Sequence, residues 1–328
     1  MSERLLDVKD LRVSFFTPAG EVKAVGGVSY HVDREEVVAI VGESGCGKSV
    51  TQMSVMQLIQ MPPGKILGGE VLFEGKNLLK YGPKSKEMRA IRGAEISMIF
   101  QEPMTSLNPV VKVGRQVEEA VLLHMSCTRE EAKSRTLEVF REVEIPEPES
   151  RYSCYPHQLS GGLRQRVMIA MAMVCRPKLL IADEPTTALD VTVEAQILKL
   201  LERLRDAGTS VLIISHNLGV IAKVCDYVYV MYAGRVVEQA ETNAVLNRPE
   251  HPYTRGLFRS VSSLREGGGT LETIPGVVPN LLRLPAGCSF SLRCGQCGEN
   301  CRRNMPDLTE TEPGHKVRCF LAEKEGTE

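Results

Sequence analysis

The sequence lacks a charge excess of either sign, a long apolar run and an apolar N-terminal segment. Its 40 Lys and Arg residues face 41 Asp and Glu residues, a net charge of -1, so no broad basic surface for nucleic acid is expected. No stretch approaches the roughly 18 uninterrupted apolar residues of a membrane-spanning helix, and the start, M-S-E-R-L-L-D-V-K, carries no apolar targeting segment. We therefore expect a cytosolic chain that neither crosses a membrane nor binds nucleic acid.

The chain does contain ten cysteines, and they form two populations. Five are scattered singly, mostly in apolar or helical context where a small buried hydrophobe is the expected role: Cys46, Cys127, Cys154, Cys175 and Cys225. The other five lie between Cys288 and Cys319. Because a disulfide framework is disfavoured in the cytosol, this second group favours metal ligation.

Residues Gly42 to Ser49 read G-E-S-G-C-G-K-S, after the apolar run 37–41 and before a stretch that can be helical. The glycines allow successive backbone N–H groups to turn inward on a phosphate, and the helix N-terminus adds a partial positive charge. Lys48 adds a point charge, and Ser49 can hold Mg²⁺. The pattern predicts a nucleotide-binding loop whose contacting residues are Gly42, Glu43, Ser44, Gly45, Cys46, Gly47, Lys48 and Ser49.

Alternating strands and helices predict an α/β fold with a parallel sheet. Residues 5–40 have the alternating apolar pattern of strands joined by a hairpin. Short apolar runs predict further strands at 69–73, 179–182, 210–214 and 227–237. Helical spacing predicts helices at 50–60 and 193–207, and a helical insert at 110–145 that ends near Pro146 and Pro148.

The composition shifts after Pro249 to Pro, Gly, Arg and Cys, with three glycines at 267–269. We therefore predict a boundary near residue 250. Residues 1–250 would form a nucleotide-binding domain with a helical subdomain at about 105–160, and residues 251–328 a C-terminal extension that carries the cysteine cluster. The length of 328 residues is enough for one domain with such an appendage.

Four further groups suit phosphate or metal chemistry. Asp183 and Glu184 close a predicted strand, where one acid can orient Mg²⁺ and the other can polarise water. The run Leu159 to Gly162 precedes a helix, so its N–H groups form a second anion-binding helix start. His216, after a strand, can donate to a phosphate oxygen, and Gln101 can reach a metal or water. Each of these groups, taken alone, also fits a structural role.

In this order, the residues resemble the nucleotide-binding subunit of an ABC transporter over about residues 5–240. The resemblance implies an α/β fold with a RecA-like P-loop core, an N-terminal antiparallel β subdomain and an inserted helical signature subdomain; a small Cys-rich metal-binding extension would follow. It implies hydrolysis of Mg-ATP, with Glu184 as the general base on water. The implied catalytic residues are Glu184, His216, Gln101 and Lys48. The implied Mg²⁺ ligands are Ser49, Gln101 and Asp183.

The same resemblance implies contacts to the nucleotide base and to a second subunit. Phe15 looks like the aromatic residue that stacks on adenine, and Phe16 is its nearest rival. In the family, the signature serine contacts the γ-phosphate held by the other subunit, so a dimer is implied. The matching signature residues are Ser160, Gly161 and Gly162. The family's D-loop corresponds to residues 188–190.

Longer motifs look like those of the peptide and nickel importer ATPases. They lie at 100–109, 155–162, 182–193, 230–235, 251–257, 275–279 (P-G-V-V-P) and 287–294 (G-C-S-F-S-L-R-C). The resemblance implies that ATP hydrolysis powers import of dipeptides, oligopeptides or nickel. The implied partners are a second ABC ATPase subunit (a paralogue or a second copy), two transmembrane permeases and an extracytoplasmic solute-binding protein, with this chain peripheral on the cytoplasmic face of the cell membrane.

Two other classes remain as alternatives at this point. A soluble ABC ATPase that is not coupled to transport would share every nucleotide motif, although such proteins usually show two cassettes or a long coiled-coil insert. A metal-binding regulatory protein with incidental ATPase activity is favoured only by the cysteine-rich extension.

Five thiols and His315 compete for four ligand positions in the extension. A zinc site favours the C-x2-C pair Cys294 and Cys297. The importer family's pattern selects instead Cys288, Cys294, Cys301 and Cys319, and members of that family have been associated with a 4Fe-4S cluster, which four thiolates suit. Either metal would fasten a segment that buries little apolar surface, and reduced free thiols are the third interpretation.

Three residues depart from the family's pattern. Leu163 stands where Met or Gln is frequent, a mild change that should leave the signature's phosphate contacts intact. Asn217 follows His216 where Asp is usual, which leaves open whether a charge partner of that acid is kept. Cys46 lies beside phosphate-binding amides, and its thiol would be unusually reactive if the thiolate were stabilised there. None of the three predicts an inactive site.

Overall fold

A computed structural model describes residues 3–101, 106–187, 191–265 and 274–322. The chain divides into two compact units. The helical unit contains Asp33–Glu36 and Lys80–Ile214 together with Glu3; the strand-rich unit contains Arg4–Val32, Val37–Leu79 and the chain from Ser215 onward. Within the described ranges, no helix is long and apolar enough to cross a membrane.

The strands fall in alternating and continuous apolar runs, as the sequence predicts. In chain order they are β1 (Arg4–Thr17), β2 (Gly20–Asp33), β3 (Val37–Val41), β4 (Gly64–Phe73), β5 (Lys76–Asn77), β6 (Ile96–Ile99), β7 (Leu179–Asp183), β8 (Ser210–Ser215), β9 (Tyr227–Tyr232), β10 (Arg235–Glu241), β11 (Thr309–Glu312) and β12 (His315–Val317). Every residue of β3, β7 and β8 is buried, which explains why these strands read as unbroken apolar runs rather than as alternating ones.

Both units contain sheet structure. In the helical unit, β7 is the central strand of a parallel set, with Leu179 opposite Ile96 of β6 and Ser210 of β8. The strand-rich unit has an antiparallel sheet in the order β2-β1-β4-β5. It also has a second set of strands in which β3 and β9 are parallel and β9, β10, β12 and β11 follow as antiparallel neighbours.

The helices connect these strands. In chain order they are α1 (Lys48–Val55), α2 (Lys86–Ile91), α3 (Val113–His124), α4 (Arg129–Glu142), α5 (Pro148–Tyr152), α6 (Gly161–Met173), α7 (Val191–Asp206), α8 (Leu218–Val224), α9 (Thr242–Asn247), α10 (Pro252–Arg265) and α11 (Glu299–Arg303). The first of them ends at Val55, five residues before the end predicted for it at residue 60.

Local sequence explains how the helical insert is divided. The predicted single helical stretch 110–145 is two helices, α3 and α4, because Thr128 and Glu131 form a capping box that starts α4 anew. Pro148 does not close the insert: it occupies the first turn of α5, where its missing N–H costs no hydrogen bond. The expectation that the stretch 110–145 ends near Pro146 is met by the end of α4 at Glu142, and α5 is an additional short helix after it.

The C-terminal extension belongs to the strand-rich unit. Its hairpin β11 and β12 pairs with β10, with Val317 opposite Glu238 and Lys316 opposite Gln239. Two buried groups strengthen this junction: Nε2 of His315 lies 2.8 Å from Oε1 of Glu238, and both side chains are almost fully enclosed. The extension therefore adds strands to the same set that begins with β3.

Some sequence predictions fall outside the described residues. These are the D-loop at 188–190, the glycines at 267–269 and part of the motif at 100–109. The division into a domain at 1–250 and an extension at 251–328 stays a prediction, since the two compact units cut the chain at other points.

Candidate nucleotide site

The phosphate loop lies between buried β3 and the start of α1. Gly47 is the residue before α1 and has a left-handed backbone with φ 100°. A Cβ at this position would lie 2.4 Å from the carbonyl oxygen of Ala24, and one at Gly42 would lie 2.2 Å from that of Met231. Both positions therefore demand glycine on steric grounds, which explains two of the fixed letters of the loop motif.

Lys48 folds back over this loop. Its Nζ donates to the carbonyl oxygens of Gly42, at 2.7 Å, and Glu43, at 3.0 Å, and the side chain is buried. The hydroxyl of Thr51 donates to the carbonyl oxygen of Gly47 at 2.8 Å. The ammonium is thus held at the loop by short contacts within the loop itself, next to half-buried Ser49.

The thiol of Cys46 does not have the character of a reactive thiol. The side chain is fully buried, and burial raises its pKa, although the nearby Lys48 opposes that shift. The Nζ of Lys48 lies 3.8 Å from Sγ. The condition stated for an unusually reactive thiolate is therefore not met here, because desolvation outweighs the lysine.

Glu43 is held by two residues that sequence reasoning did not connect with the loop. Its backbone N–H donates to the hydroxyl of Tyr253 at 2.9 Å. Its carboxylate pairs with Arg293, with Nη1 at 2.6 Å from Oε2 and Nη2 at 3.1 Å from Oε1. Both partners lie beyond residue 250, in the predicted extension. The only sequence signal was that each sits in a motif of the importer resemblance.

The acidic strand end lies in the helical unit, at the close of β7. Asp183 is the last residue of the strand and is buried. Glu184 has a left-handed backbone, φ 48°, and its N–H donates to the carbonyl oxygen of Ile214 at 2.8 Å. Its carboxylate oxygen Oε2 accepts hydrogen bonds from Nε2 of Gln101, at 3.1 Å, and Oγ1 of Thr187, at 2.9 Å. The structure thus brings Gln101 and Glu184 together.

The signature residues stand at the start of α6. Ser160 caps the helix, its hydroxyl accepting from the N–H of Leu163 at 3.4 Å. Ser160 and Gly161 are exposed, and Gly162 is half-buried against Val193. The side chain of Gln165, one turn into the helix, donates to the carbonyl oxygen of Pro185 at 2.8 Å. This contact ties α6 to the turn that follows Glu184.

The remaining predicted nucleotide contacts lie in the strand-rich unit. His216 is exposed. Asn217 caps α8, its side-chain oxygen accepting from the N–H groups of Gly219, at 3.0 Å, and Val220, at 3.4 Å. The residue that departs from the family pattern thus has a structural role as a helix cap. Phe15 and Phe16 both lie on β1; Phe15 is half-buried beside Gly64, and Phe16 is 50% exposed.

The thiols of the cysteine cluster lie near enough to one another to influence each other's ionisation. Burial, with a smaller contribution from the neighbouring thiols of Cys301, Cys319 and Cys294, raises the pKa of Cys288 to about 11. Backbone N–H groups two residues on, at Phe290, Gln296 and Leu321, act in the opposite direction on Cys288, Cys294 and Cys319 respectively.

A metal centre is nevertheless not confirmed. Among the residues that the structure describes, no group of three or more His, Cys, Asp or Glu side chains is placed to hold a metal ion. His315, a predicted competitor for a ligand position, is instead engaged by buried Glu238. Neither the 4Fe-4S cluster nor zinc is therefore established by this geometry.

Known proteins place this fold and its loops in one class. The family model of ABC transporters matches residues 25–187. The ATP-binding cassette MJ0796, solved as a dimer in a post-hydrolysis state bound to ADP and Pi, superposes with a TM-score of 0.66 at 26% identity, covering 73% of this chain and 99% of that one. The α/β cassette fold is confirmed, and the chain is an ABC-type ATPase.

Relatives that match nearly the whole chain define the family within that class. The model of the oligopeptide/dipeptide transporter C-terminal region matches residues 237–301. The probable peptide ABC transporter ATP-binding protein y4tR of Sinorhizobium fredii is 52% identical over 321 residues, 97% of this chain and 95% of the relative. The oligopeptide transport ATP-binding protein OppD of Bacillus subtilis is 50% identical over 320 residues, 97% and 89% of the two chains. The chain belongs to the ATP-binding proteins of the peptide ABC transporter family.

Proposed function

We propose that this chain hydrolyses ATP to drive import of dipeptides or oligopeptides through membrane permeases. The observation that carries the proposal is the pairing of Glu184 with Gln101 at a strand end, in a chain that also holds Lys48 over a glycine-rich loop. Relatives that match almost the whole chain are named for peptide or oligopeptide transport. Peptide is therefore the proposed cargo in preference to nickel.

The polar groups of the phosphate loop and of the end of β7 then each have a proposed role. The loop from Gly42 to Ser49 binds the phosphates through its backbone N–H groups, and Lys48 neutralises their charge. Glu184 takes a proton from the attacking water, and Gln101 orients its carboxylate. His216 donates to the γ-phosphate, and one of the two aromatic residues at the end of β1 stacks on the adenine.

Magnesium is the proposed metal of the nucleotide, and the chemistry of three oxygen-bearing side chains supports it. These are Ser49, Gln101 and Asp183, and carboxylate, amide and hydroxyl oxygens are the ligands that Mg²⁺ prefers. The ion, when bound with ATP, neutralises charge on the phosphate oxygens.

The dimer is proposed from the signature helix. Ser160 and Gly161 are exposed at the N-terminus of α6, where they can reach a nucleotide held by another subunit. The partner is a second ATPase subunit, either a copy of this chain or a paralogue. A soluble ABC ATPase would form the same dimer, so dimerisation alone does not establish transport.

The permease contact is proposed from exposed apolar side chains of the helical unit. Phe100, Val110 and Leu123 are exposed by 41%, 78% and 72%. A cavity of about 480 Å³ lies beside Leu123 and is otherwise lined by Lys86, Arg89, Ala90, Arg92 and His124. Exposed apolar side chains, one of them in the wall of a basic cavity, suit a protein partner better than water. Docking there would hold the chain peripherally on the cytoplasmic face of the membrane.

We also propose that Cys288, Cys294, Cys301 and Cys319 hold a 4Fe-4S cluster, with zinc as the alternative. Mutual proximity of these thiols and backbone N–H groups near three of the sulfurs support a thiolate site. Anaerobic purification followed by absorption spectroscopy and by iron and zinc analysis tests it. A protein that contains neither metal would overturn this part of the proposal.

Reconstitution tests the transport function directly. The chain, its second ATPase subunit and the two permeases would be placed in liposomes with the solute-binding protein and ATP. We expect ATP-dependent uptake of a labelled peptide, and none with Glu184→Gln. Uptake of ⁶³Ni²⁺ instead of peptide would reassign the cargo, and ATP hydrolysis with no response to permeases or binding protein would favour the soluble class.

A further inference from the structure

Glu43, at the start of the phosphate loop, is held from the C-terminal extension by Arg293 and Tyr253. We propose that Arg293 is a positioning residue for ATP binding: it fixes the phosphate loop through the carboxylate of Glu43. This inference rests on the proposed phosphate-binding role of that loop. It assigns to the extension a direct part in nucleotide binding.

The ion pair is a two-point contact between a nearly enclosed arginine and a half-buried glutamate. Nη1 and Nη2 of Arg293 each contact a different carboxylate oxygen of Glu43, at 2.6 and 3.1 Å. The arginine side chain is 4% exposed and that of the glutamate 29%. A two-point contact of this kind restricts rotation as well as distance, and partial burial shields it from salt. Lysine cannot reproduce this geometry, because it offers one charged point.

The guanidinium is itself fixed, so it can serve as an anchor. Its Nε donates to the carbonyl oxygen of Pro275 at 2.9 Å, and Nη2 donates to that of Ile274 at 3.2 Å. The guanidinium carbon also lies 5.8 Å from the ring centre of Tyr232 and 6.0 Å from that of Phe290. Every side of the group thus has a partner in the strand-rich unit.

Glu43 transmits this restraint to the loop because all of its polar groups are engaged. Its N–H donates to Tyr253, and its carboxylate accepts from Arg293. Its carbonyl oxygen accepts from Nζ of Lys48 at 3.0 Å and from the N–H of Cys46 at 3.3 Å. A displacement of the Glu43 side chain therefore moves the carbonyl group on which Lys48 rests.

Charge gives a second reason for the arginine. A carboxylate within a loop that binds phosphates repels them at short range. Arg293 neutralises that carboxylate. Loss of Arg293 should consequently weaken ATP binding in two ways, by releasing the loop and by leaving the negative charge of Glu43 uncompensated. Removing the charge of Glu43 as well should restore part of the affinity.

The test compares nucleotide affinity with turnover in five variants of the full chain. These are Arg293→Gln, Arg293→Lys, Glu43→Gln, the double variant Arg293→Gln/Glu43→Gln, and Lys48→Ala. Arg283→Gln, at an exposed arginine of the same extension, is the matched control. The Kd for a fluorescent non-hydrolysable ATP analogue, the KM and kcat for ATP, and the Tm are measured for each.

We expect Arg293→Gln to raise Kd and KM by about tenfold, the effect of one charge-assisted contact. Its kcat at saturating ATP should change by less than about threefold, since the chemical groups are untouched. Arg293→Lys should fall between wild type and Arg293→Gln, and the double variant should bind ATP better than Arg293→Gln alone. Arg283→Gln should leave Kd, KM, kcat and Tm unchanged.

Three other results would distinguish a failure of the role proposed for Arg293 from a failure of the proposed nucleotide site. A lower Tm for Arg293→Gln with unchanged Kd would show that Arg293 only anchors the extension and would overturn the inference. If Arg293→Gln does not fold, an unchanged Kd for Arg293→Lys has the same meaning. Unchanged binding by Lys48→Ala would instead show that this loop is not the nucleotide site, which refutes the proposed function rather than the role of Arg293.

Discussion

Glu184 is the residue proposed as the general base. Its carboxylate oxygen Oε2 is oriented by two donors, Nε2 of Gln101 and Oγ1 of Thr187. We expect Glu184→Gln to retain ATP binding and to lower the rate of hydrolysis by about 10² to 10⁴, the usual contribution of a general base. Phosphate release and equilibrium binding of labelled ATP measure the two quantities.

The matched control for that substitution is Glu119→Gln, an exposed glutamate on α3 of the same unit. Its hydrolysis rate should equal that of the wild type. If Glu184→Gln hydrolyses ATP at the wild-type rate, another group takes the proton and the assignment of Glu184 fails.

Cys46 should resist alkylation despite its place in the phosphate loop. The thiol is fully buried and its pKa is raised by burial, whereas Cys154 is half-buried. Treatment with iodoacetamide at pH 8, followed by peptide mass spectrometry, should label Cys154 in the native protein and Cys46 only after unfolding in urea. Labelling of both at equal rates under native conditions would contradict the burial of Cys46.

At the scale of elements, a histidine directly before α10 is held in its neutral form. His251 is fully buried, and its Nδ1 accepts the N–H of Tyr253 at 3.0 Å. Burial lowers its pKa to about 4; nearby Glu238 opposes this, while Arg255 and Arg318 add to it. Because the unfolded chain takes up this proton near pH 6.5 and the folded chain does not, folding should lose stability as the pH falls from 6.5 to 4.

The expected loss is up to about 3 kcal/mol, the energy of two to three pKa units. Urea unfolding at pH 7, 6 and 5 measures it, with His251→Asn as the comparison because asparagine keeps an acceptor and does not titrate. His315 has the opposite sign: Glu238 raises its pKa, so its contribution is complete below pH 6.5 and is lost only at higher pH. If His251→Asn loses as much stability as the wild type between pH 7 and pH 5, His251 is not the cause of the acid sensitivity.

The elements also show what sequence reasoning can reach. The phosphate loop was predictable because positions such as Gly47 leave no room for a Cβ atom, so the glycines are visible in the sequence itself. The end of β7 was predictable because an acid after a buried strand is a local pattern. The contact of Glu43 with Arg293 was not, since the residues are 250 positions apart and no periodicity links them. The start of α5 at Pro148 was missed because proline can both end a helix and begin one.

At the scale of the whole molecule, the signature helix predicts an ATP-dependent dimer. Hydrolysis-deficient Glu184→Gln should trap ATP between two subunits, so size-exclusion chromatography with light scattering should show a dimer with ATP and a monomer without it. Adding Ser160→Arg, which places a bulky side chain on the exposed helix start, should abolish the dimer and leave ATP binding intact.

The control is Ser150→Arg, at an exposed serine of α5, which should dimerise like the parent variant. Dimerisation that occurs only after addition of a paralogous ATPase subunit would assign the heteromeric pairing. A dimer that forms without ATP and survives Ser160→Arg would show that the signature helix is not at the interface.

The hairpin β11 and β12 has a consequence for truncation. A chain cut before Thr309 would lack both strands of this hairpin. The backbone N–H and C=O groups of β10 on that side would then be unpaired, for example near Glu238, which lies opposite Val317 in the intact chain. Exposed strand edges recruit other strands and promote aggregation. The hairpin β11 and β12 therefore protects the edge strand β10. Removing the hairpin by truncation would expose an edge that can pair with strands of other molecules.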